Sequence, residues 1–269
     1  MSTTDKLFSG SIAEVYDRAM VPLIFEPYAR DLAERVSKLG PQSVLEVAAG
    51  TGVVTRAMAA KLPAQARIVV TDLNQPMLDH ARTRMADDPR ITWRQADAQA
   101  LPFEAGVFDV AVCCFGIMFM PDKGGAYREA RRVLRPGGRL ILTIWDRIEA
   151  NPLMHIAEET LAGLFPDDPP RFFSRTPCGY VDKARIEREL REAGFGTVRI
   201  EEVRRDADVP AARQAAIGCC QGTPLRNEIE ARDPAGLARV TDAVAVALRA
   251  RFGDGPFHAP QQALLVTAA

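Results

Sequence analysis

The sequence predicts an α/β chain built on a parallel, doubly wound sheet, and three observations carry that expectation. Val44–Val47 is a short apolar run that meets a glycine-bearing turn, Ala48-Ala49-Gly50-Thr51-Gly52, and leads into helical spacing at Val53–Leu62. Apolar runs of strand length recur at 67–71, 91–95, 108–113 and 139–145, with helix-patterned stretches between them. At 269 residues, 47% hydrophobic and 26% charged, the chain has the length and balance to bury a full globular core.

The elements follow in order. Ser11-Ile12-Ala13-Glu14 fits a capping box and opens a short helix through Tyr16 that should end near Pro22. A second helix is expected from about Pro27 to Lys38, with Tyr28, Leu32, Val36 and Leu39 as its apolar stripe, and Gly40-Pro41 stops it. After the opening strand, turn and helix, Arg67–Thr71 is the second strand, closing on Asp72. The helix Pro76–Met85 and the third strand, Ile91–Gln95, come next, with Asp97 two residues beyond. Phe108–Cys113 is the fourth strand and a helix follows around Ala126–Leu134. Arg135-Pro136-Gly137-Gly138 reads as a turn before the fifth strand, Arg139–Trp145.

Beyond it, a helix over Leu153–Leu164 and a Pro-rich loop over Phe165–Arg171 precede a helix capped by Asp182 and ended by Gly194. Val198–Val203 is the sixth strand. Asp233-Pro234 starts a helix with Leu237, Val240, Val244 and Leu248 on one face and Gly253 at its end, and Ala263–Thr267 is the last strand. The expected organisation is N-terminal helices over residues 1–42, a core at 43–146, a core helix and strand at 182–205, and a last strand within 259–269. Insertions at 147–181 and 206–258 interrupt that core. They read as helical caps over the C-terminal strand ends, where ligands sit in open α/β sheets.

Composition removes several classes of function. A formal net charge of -1 leaves no basic field to gather nucleic acid or an anionic membrane. The apolar run Val107–Met120 is broken by Asp109 and Gly116 and falls short of a membrane span. Residues 1–20 show no basic-then-apolar secretory pattern, so the expected location is cytoplasmic. Five cysteines without a C-x-x-C, and three histidines without ligand spacing, give no support to a metal site or a disulfide framework. No signal for an oligomeric state is present.

The glycine turn is the candidate ligand loop, because it lets a ligand approach the backbone and the free N–H groups of a helix start. Gly50-Thr51-Gly52-Val53-Val54-Thr55 lacks the third glycine of a dinucleotide fingerprint, and no triphosphate-binding G-x-x-x-x-G-K-[ST] occurs. Three acids stand at successive strand ends: Glu46, Asp72 and Asp97. Asp72, 20 residues after Gly52, is spaced to accept from a ribose diol, although an acid at a helix start is the plain alternative. Asp97 is placed for an exocyclic amine or, equally simply, for capping its own loop. A phosphate-free, acidic rim suits S-adenosylmethionine, with its diol, amine and sulfonium, better than it suits a dinucleotide.

The stretches Val44–Gly52, Asp72-Leu73-Asn74-Gln75-Pro76-Met77-Leu78, Ala96-Asp97-Ala98-Gln99-Ala100-Leu101-Pro102-Phe103, Phe108-Asp109-Val110, Arg132–Gly138 and Glu189–Phe195 resemble, in this order, class I S-adenosylmethionine-dependent methyltransferases. The likeness is to the small-molecule group that includes the ubiquinone/menaquinone-biosynthesis methyltransferases. It implies a Rossmann-like, seven-stranded sheet, mostly parallel with an antiparallel last strand. It also implies that Glu46 and the Ala48, Gly50 and Gly52 backbone hold the methionine end, and that Asp72 takes the ribose hydroxyls. Leu73 and Met77 would lie against the adenine, Asp97 and the Ala98 N–H would read its edge, and Cys114 and Phe115 would border the sulfonium. Ala48 stands where the family usually has glycine, an exchange that is tolerable only at a negative φ.

Tyr16 is a further candidate cofactor contact, with packing as the alternative. His155, in the first insertion, is the candidate general base, against a solvated or core histidine. Met118 and Phe119 are candidates to line an apolar substrate pocket, against core packing. The expected activity is methyl transfer to O, N or C of a small, partly apolar molecule by in-line displacement. Three rivals predict other behaviour: a cofactor-bound sensor or assembly partner without turnover, a metalloid methyltransferase using Cys219-Cys220, and a nicotinamide oxidoreductase. A nucleic-acid methyltransferase would carry N/D-P-P-Y/F after the fourth strand, where this chain has Cys113-Cys114-Phe115-Gly116.

Overall fold

The computed structural model describes residues 14–85 and 87–269; Ser11, Ile12 and Ala13 of the expected capping box lie outside them. Seven strands form one sheet: β1 (Ser43–Glu46), β2 (Arg67–Asp72), β3 (Ile91–Gln95), β4 (Phe108–Cys114), β5 (Leu134–Trp145), β6 (Val198–Val209) and β7 (Phe257–Ala268). Their spatial order is β3-β2-β1-β4-β5-β7-β6. The first five run parallel to their neighbours and β7 runs antiparallel to β5, with Leu140 opposite Ala268 and Trp145 opposite Ala263. Strand order reverses beside β1, between β2 and β4, which is the place where such sheets open a crevice.

The chain divides into two compact units. One comprises Tyr28–Trp145, Tyr180–Val203 and Ala263–Ala269; the other comprises the described residues up to Pro27, Asp146–Gly179 and Arg204–Gln262. The first holds β1 to β5, β6 as far as Val203, β7 from Ala263, and the helices α1 (Glu26–Ser37, from Tyr28 onward), α2 (Val53–Lys61), α3 (Gln75–Thr83), α4 (Lys123–Val133) and, later in the chain, Lys183–Glu192. One face of the sheet is covered where Leu32, Ala33 and Val36 of α1 and Val54 and Met58 of α2 join Val44, Ile68, Val70, Val110 and Val112 in a single apolar cluster. These central strands are apolar on both faces because parallel strands are buried on both. At the N-terminal ends of the strands, Asp109 accepts from the Gln42 and Ser43 N–H groups, both at 2.9 Å, and pairs with Arg135 at 2.7 Å. It ties β1 to β4 and is structural.

The second unit is helical: α5 (Pro152–Leu164), α6 (Phe172–Arg175) and, after the intervening core helix α7 (Lys183–Glu192), α8 (Ala212–Gln221), α9 (Leu225–Arg232) and α10 (Leu237–Phe252). Its buried residues include Leu153, Ala157 and Leu161 of α5 and Val240, Val244 and Leu248 of α10, the latter three on the face expected from their spacing. Arg213 and Asp242 form an ion pair within it.

Five expectations need correction. The backbone does not stop near Pro22: Tyr16–Phe25 is a π-helix with Pro22 inside it, and it runs on into α1. Here the Glu26 N–H reaches five residues back to the Val21 carbonyl, and that wider winding accommodates the missing proline donor. Strand β5 begins at Leu134, which pairs with Phe108 before the register shifts and Val110 meets Arg139; the Pro136-Gly137-Gly138 turn is a bulge inside the strand. Strands β6 and β7 are each 12 residues long, well beyond the expected five or six. Helix α10 starts at Leu237, because Asp233-Pro234 lies before a further turn in which the Gly236 N–H bonds the Asp233 carbonyl. Finally, Ala48 has φ +55°, in the left-handed region and opposite to the condition the sequence set for it.

Candidate active site at the carboxyl rim of the sheet

Strands β1, β2 and β4 end side by side, so Glu46, Asp72 and Cys114 are brought to one rim. Register fixes their order: Glu46 lies opposite Val70 and Val112, each two residues short of Asp72 and Cys114. Between β1 and α2 the chain turns through three left-handed residues, Ala48 (φ +55°), Gly50 (φ +56°) and Gly52 (φ +78°). At Gly52 a side chain would also press on Ala81 of α3, with a Cβ–Cβ distance of 3.0 Å, so glycine serves both the turn and the packing. Space around Gly50 is open for at least 4 Å in the direction of a Cβ.

The two inner acids are buried, and the Arg56 guanidinium acts on Glu46 from a distance without closing an ion pair. Glu46 is 1% exposed, and its carboxylate accepts the Thr55 hydroxyl at 2.6 Å. Asp72 is 7% exposed and accepts the Gly50 N–H and the Asn74 N–H, both at 2.8 Å. No ion pair engages either carboxylate among the described residues. Burial pushes the Glu46 carboxyl up to about 8, against the smaller pull of the Thr55 hydroxyl, and burial also raises Asp72 above the usual carboxylate range. Beside them the Thr51 side chain is 1% exposed, and its hydroxyl has no hydrogen-bond partner among the described residues. The rim therefore combines an open glycine turn, two buried acids outside any ion pair and a hydroxyl unpartnered among the described residues. That set is complementary to a cationic, hydroxyl-bearing ligand.

The other candidates in this unit are placed as follows. Leu73, 45% exposed, follows Asp72 directly, while Met77 is buried on α3. Asp97 is exposed and its carboxylate accepts the Gln99 N–H at 2.9 Å, a local turn, with Ala98 inside that turn. Cys114 is partly buried and its sulfur accepts the Thr143 hydroxyl at 3.0 Å; burial keeps the thiol protonated. Phe115 has φ +55°, a strained geometry for a bulky residue. It is held there by its N–H bond to the Thr143 carbonyl at 2.9 Å and by stacking on Trp145, 3.9 Å between ring centroids. Tyr28 meets both rings edge-on. Met118 is fully buried and Phe119 half-buried in a short 3-10 turn.

Tyr16 and His155 belong to the helical unit. Tyr16 packs on Phe25 at 5.2 Å, and His155 pairs with Glu159 one turn along α5 at 3.4 Å, on a partly exposed face. Sequence reasoning passed over four residues. Thr55 donates its hydroxyl to the Glu46 carboxylate, Thr51 offers a hydroxyl unpartnered among the described residues, and Trp145 backs Phe115. Gly116 is the fourth: a Cβ there would stand 2.6 Å from the Ala48 Cβ and 2.8 Å from the Cys113 sulfur. Only the glycine directly after Phe115 gave a signal in the sequence. The Ala48 methyl and the absent Gly116 side chain are complementary, which explains how alanine fits the first turn position.

This strand order is that of a Rossmann-like, seven-stranded sheet with an antiparallel last strand, as the sequence led one to expect. Residues 44–138 match the family described as Methyltransferase domain. Among individual proteins, the chain is similar to the ubiquinone/menaquinone biosynthesis C-methyltransferase of Hahella chejuensis, with 37% identity over 115 residues, 42% of this chain and 46% of that one. The protein of the same name from Ectopseudomonas mendocina is 33% identical over 168 residues, covering 58% and 65%. The chain thus spans less than two thirds of either relative. Among solved structures, phosphoethanolamine N-methyltransferase 2 of Haemonchus contortus, in complex with S-adenosyl-L-methionine, superimposes with a TM-score of 0.62. Its identity is 17%, and the match covers 100% of this chain and 60% of that one, a likeness of fold.

Among the described residues no helix is long and apolar enough to cross a membrane, and no group of three or more His, Cys, Asp or Glu could hold a metal ion.

Proposed function

We propose that the protein transfers a methyl group from S-adenosylmethionine to a small, partly apolar molecule. The observation that carries this reading is the pair of buried acids, Glu46 and Asp72, outside any ion pair among the described residues and beside an open glycine turn. The cofactor's positive charge would supply what the rim lacks, and its ribose hydroxyls would find Asp72 and the Thr51 hydroxyl. Leu73 and Met77 would flank the adenine, Asp97 and Ala98 would read its edge, and Cys114 and Phe115 would border the sulfonium.

When bound, the cofactor supplies an electrophilic methyl whose leaving group is neutral. The chain's own contribution is then mostly orientation, which is worth about 7–11 kcal/mol at best. Phe115, pinned by Trp145 and Tyr28, gives that end of the rim a fixed wall. The names of the relatives, C-methyltransferases, favour a carbon acceptor. The cysteine-based alternative has little support, because Cys219 and Cys220 are fully buried and burial raises both thiols, Cys220 to about 12.

Titration calorimetry with S-adenosylmethionine, S-adenosylhomocysteine and NAD tests the reading. Heat with the first two and none with NAD is expected; the reverse pattern overturns it. Methyl acceptors then follow from a screen for products heavier by one methylene.

A further inference from the structure

Gln261 is 2% exposed, and neither its carboxamide oxygen nor its nitrogen has a hydrogen-bond partner among the described residues. A carboxamide offers two donors and an acceptor, so leaving both ends unmet is unusual in a folded core. Its neighbour shows that partners are within reach of this strand. Gln262 donates from its side chain to Asp146, accepts from Arg204 at 2.7 Å, and exchanges backbone and side-chain bonds with Asn151.

Gln261 lines a narrow cavity inside the helical unit, closed to about 10 Å³. Met20, Leu23 and Ile24 of the π-helix form one wall, and Leu153 and Met154 of α5 another. Asn151 also faces it, but its amide is spent on the Asp146, Arg147 and Gln262 carbonyls and the Gln262 N–H. No charged side chain lines the cavity. Gln261 is therefore the polar group that addresses it.

Two further features mark the place as a binding site rather than packing. A π-helix is rare, and where one occurs it often marks a functional site; this one supplies three of the lining residues. It is also seated closely on α8, since a Cβ on Gly218 would stand 2.6 Å from the Met20 sulfur. Second, two of the wall residues are methionines, unbranched side chains that swing aside more readily than leucine or isoleucine.

We propose that this cavity is the contracted form of a small-molecule site for an uncharged, mostly apolar ligand bearing a hydroxyl or carbonyl oxygen, read by the Gln261 carboxamide. Such a ligand is either the methyl acceptor of the proposed activity or a non-reacting effector, and the inference rests on that activity only for the first source.

Phenol and toluene are nearly isosteric and differ by the hydroxyl, so they serve as probes. Ligand-observed NMR on the full chain should show phenol binding at least about tenfold tighter than toluene, because the polar group rejects the analogue that leaves it unmet. Gln261→Leu should abolish the preference while raising the melting temperature, and Met154→Ala should tighten both probes. Incubation with S-adenosylmethionine separates the sources. If the methyl passes from sulfur to the phenol oxygen and the phenol proton goes to solvent, methoxybenzene forms and the site takes the acceptor. If phenol returns unchanged though bound, the site takes an effector. Equal phenol and toluene binding, a preference that survives Gln261→Leu, or no binding to either wild type or Met154→Ala overturns the proposal. Calorimetry with S-adenosylmethionine on Gln261→Leu reads the methyl-donor reading separately, because it is expected to be unchanged.

Discussion

Replacing Glu46 by glutamine should make the protein more stable and a worse binder of its cofactor, both at once. The folded carboxyl keeps its proton up to about 8, whereas an unburied one releases it near 4.5. A raised carboxyl of this kind leaves stability untouched below about pH 4.5 and removes it progressively as pH rises to about 8, beyond which the loss is constant. At about pH 7 the cost is on the order of 3 kcal/mol, at ~1.4 kcal/mol per pH unit. Glutamine keeps the acceptor for the Thr55 hydroxyl, so the substitution removes the ionisation and little else. Asp72, raised in the same direction, is present in both proteins and cancels in the comparison.

Urea unfolding at several values between about pH 5 and pH 8 reads the effect, as a gap between the two proteins that widens with pH. Calorimetry in parallel should show cofactor affinity weakened in the variant by about 1–3 kcal/mol, the loss of a charged acceptor. Stability curves that stay parallel across the pH range would refute the claim that burial of Glu46 outweighs the groups that favour its charge.

Asp72→Ala should cut S-adenosylmethionine affinity by about 1–3 kcal/mol by calorimetry, and unchanged affinity removes the ribose from this rim. Gly116→Ala should destabilise by about 1–3 kcal/mol in urea, through collision with the Ala48 methyl and the Cys113 sulfur. Ala48→Gly in the same chain should restore part of that loss, and a strictly additive double variant contradicts the contact. His155→Gln should change turnover less than about tenfold once an acceptor is found; a loss of 10²-fold or more restores it as the base.

Much of the sheet was legible because its strands announce themselves twice, by apolar runs and by the glycine or acid at each end. Asp182 caps its helix through the Ala184 and Arg185 N–H groups as its position suggests, and Gly194 ends that helix at φ +96°. The rim acids Glu46 and Asp72 were legible for the same reason: their spacing from the glycine turn is local.

What escaped was set by partners distant in sequence. The length of β6 and β7 depends on strand pairing that no local pattern reveals. The π winding around Pro22 was hidden because proline ordinarily ends an α-helix. The left-handed Ala48 is admitted by Gly116, 68 positions on, whose missing side chain leaves room for the methyl.

The position of β7 sets an order of events in folding. It is the last strand in sequence yet lies between β5 and β6, and the Ala269 N–H and carbonyl both bond Thr197. Strand β6 is synthesised with no neighbour, and α8, α9 and α10 must follow before its partner exists. Until β7 has been made, β5 and β6 therefore each keep an unpaired edge, and that is the interval in which a chaperone or a second nascent chain has its opportunity.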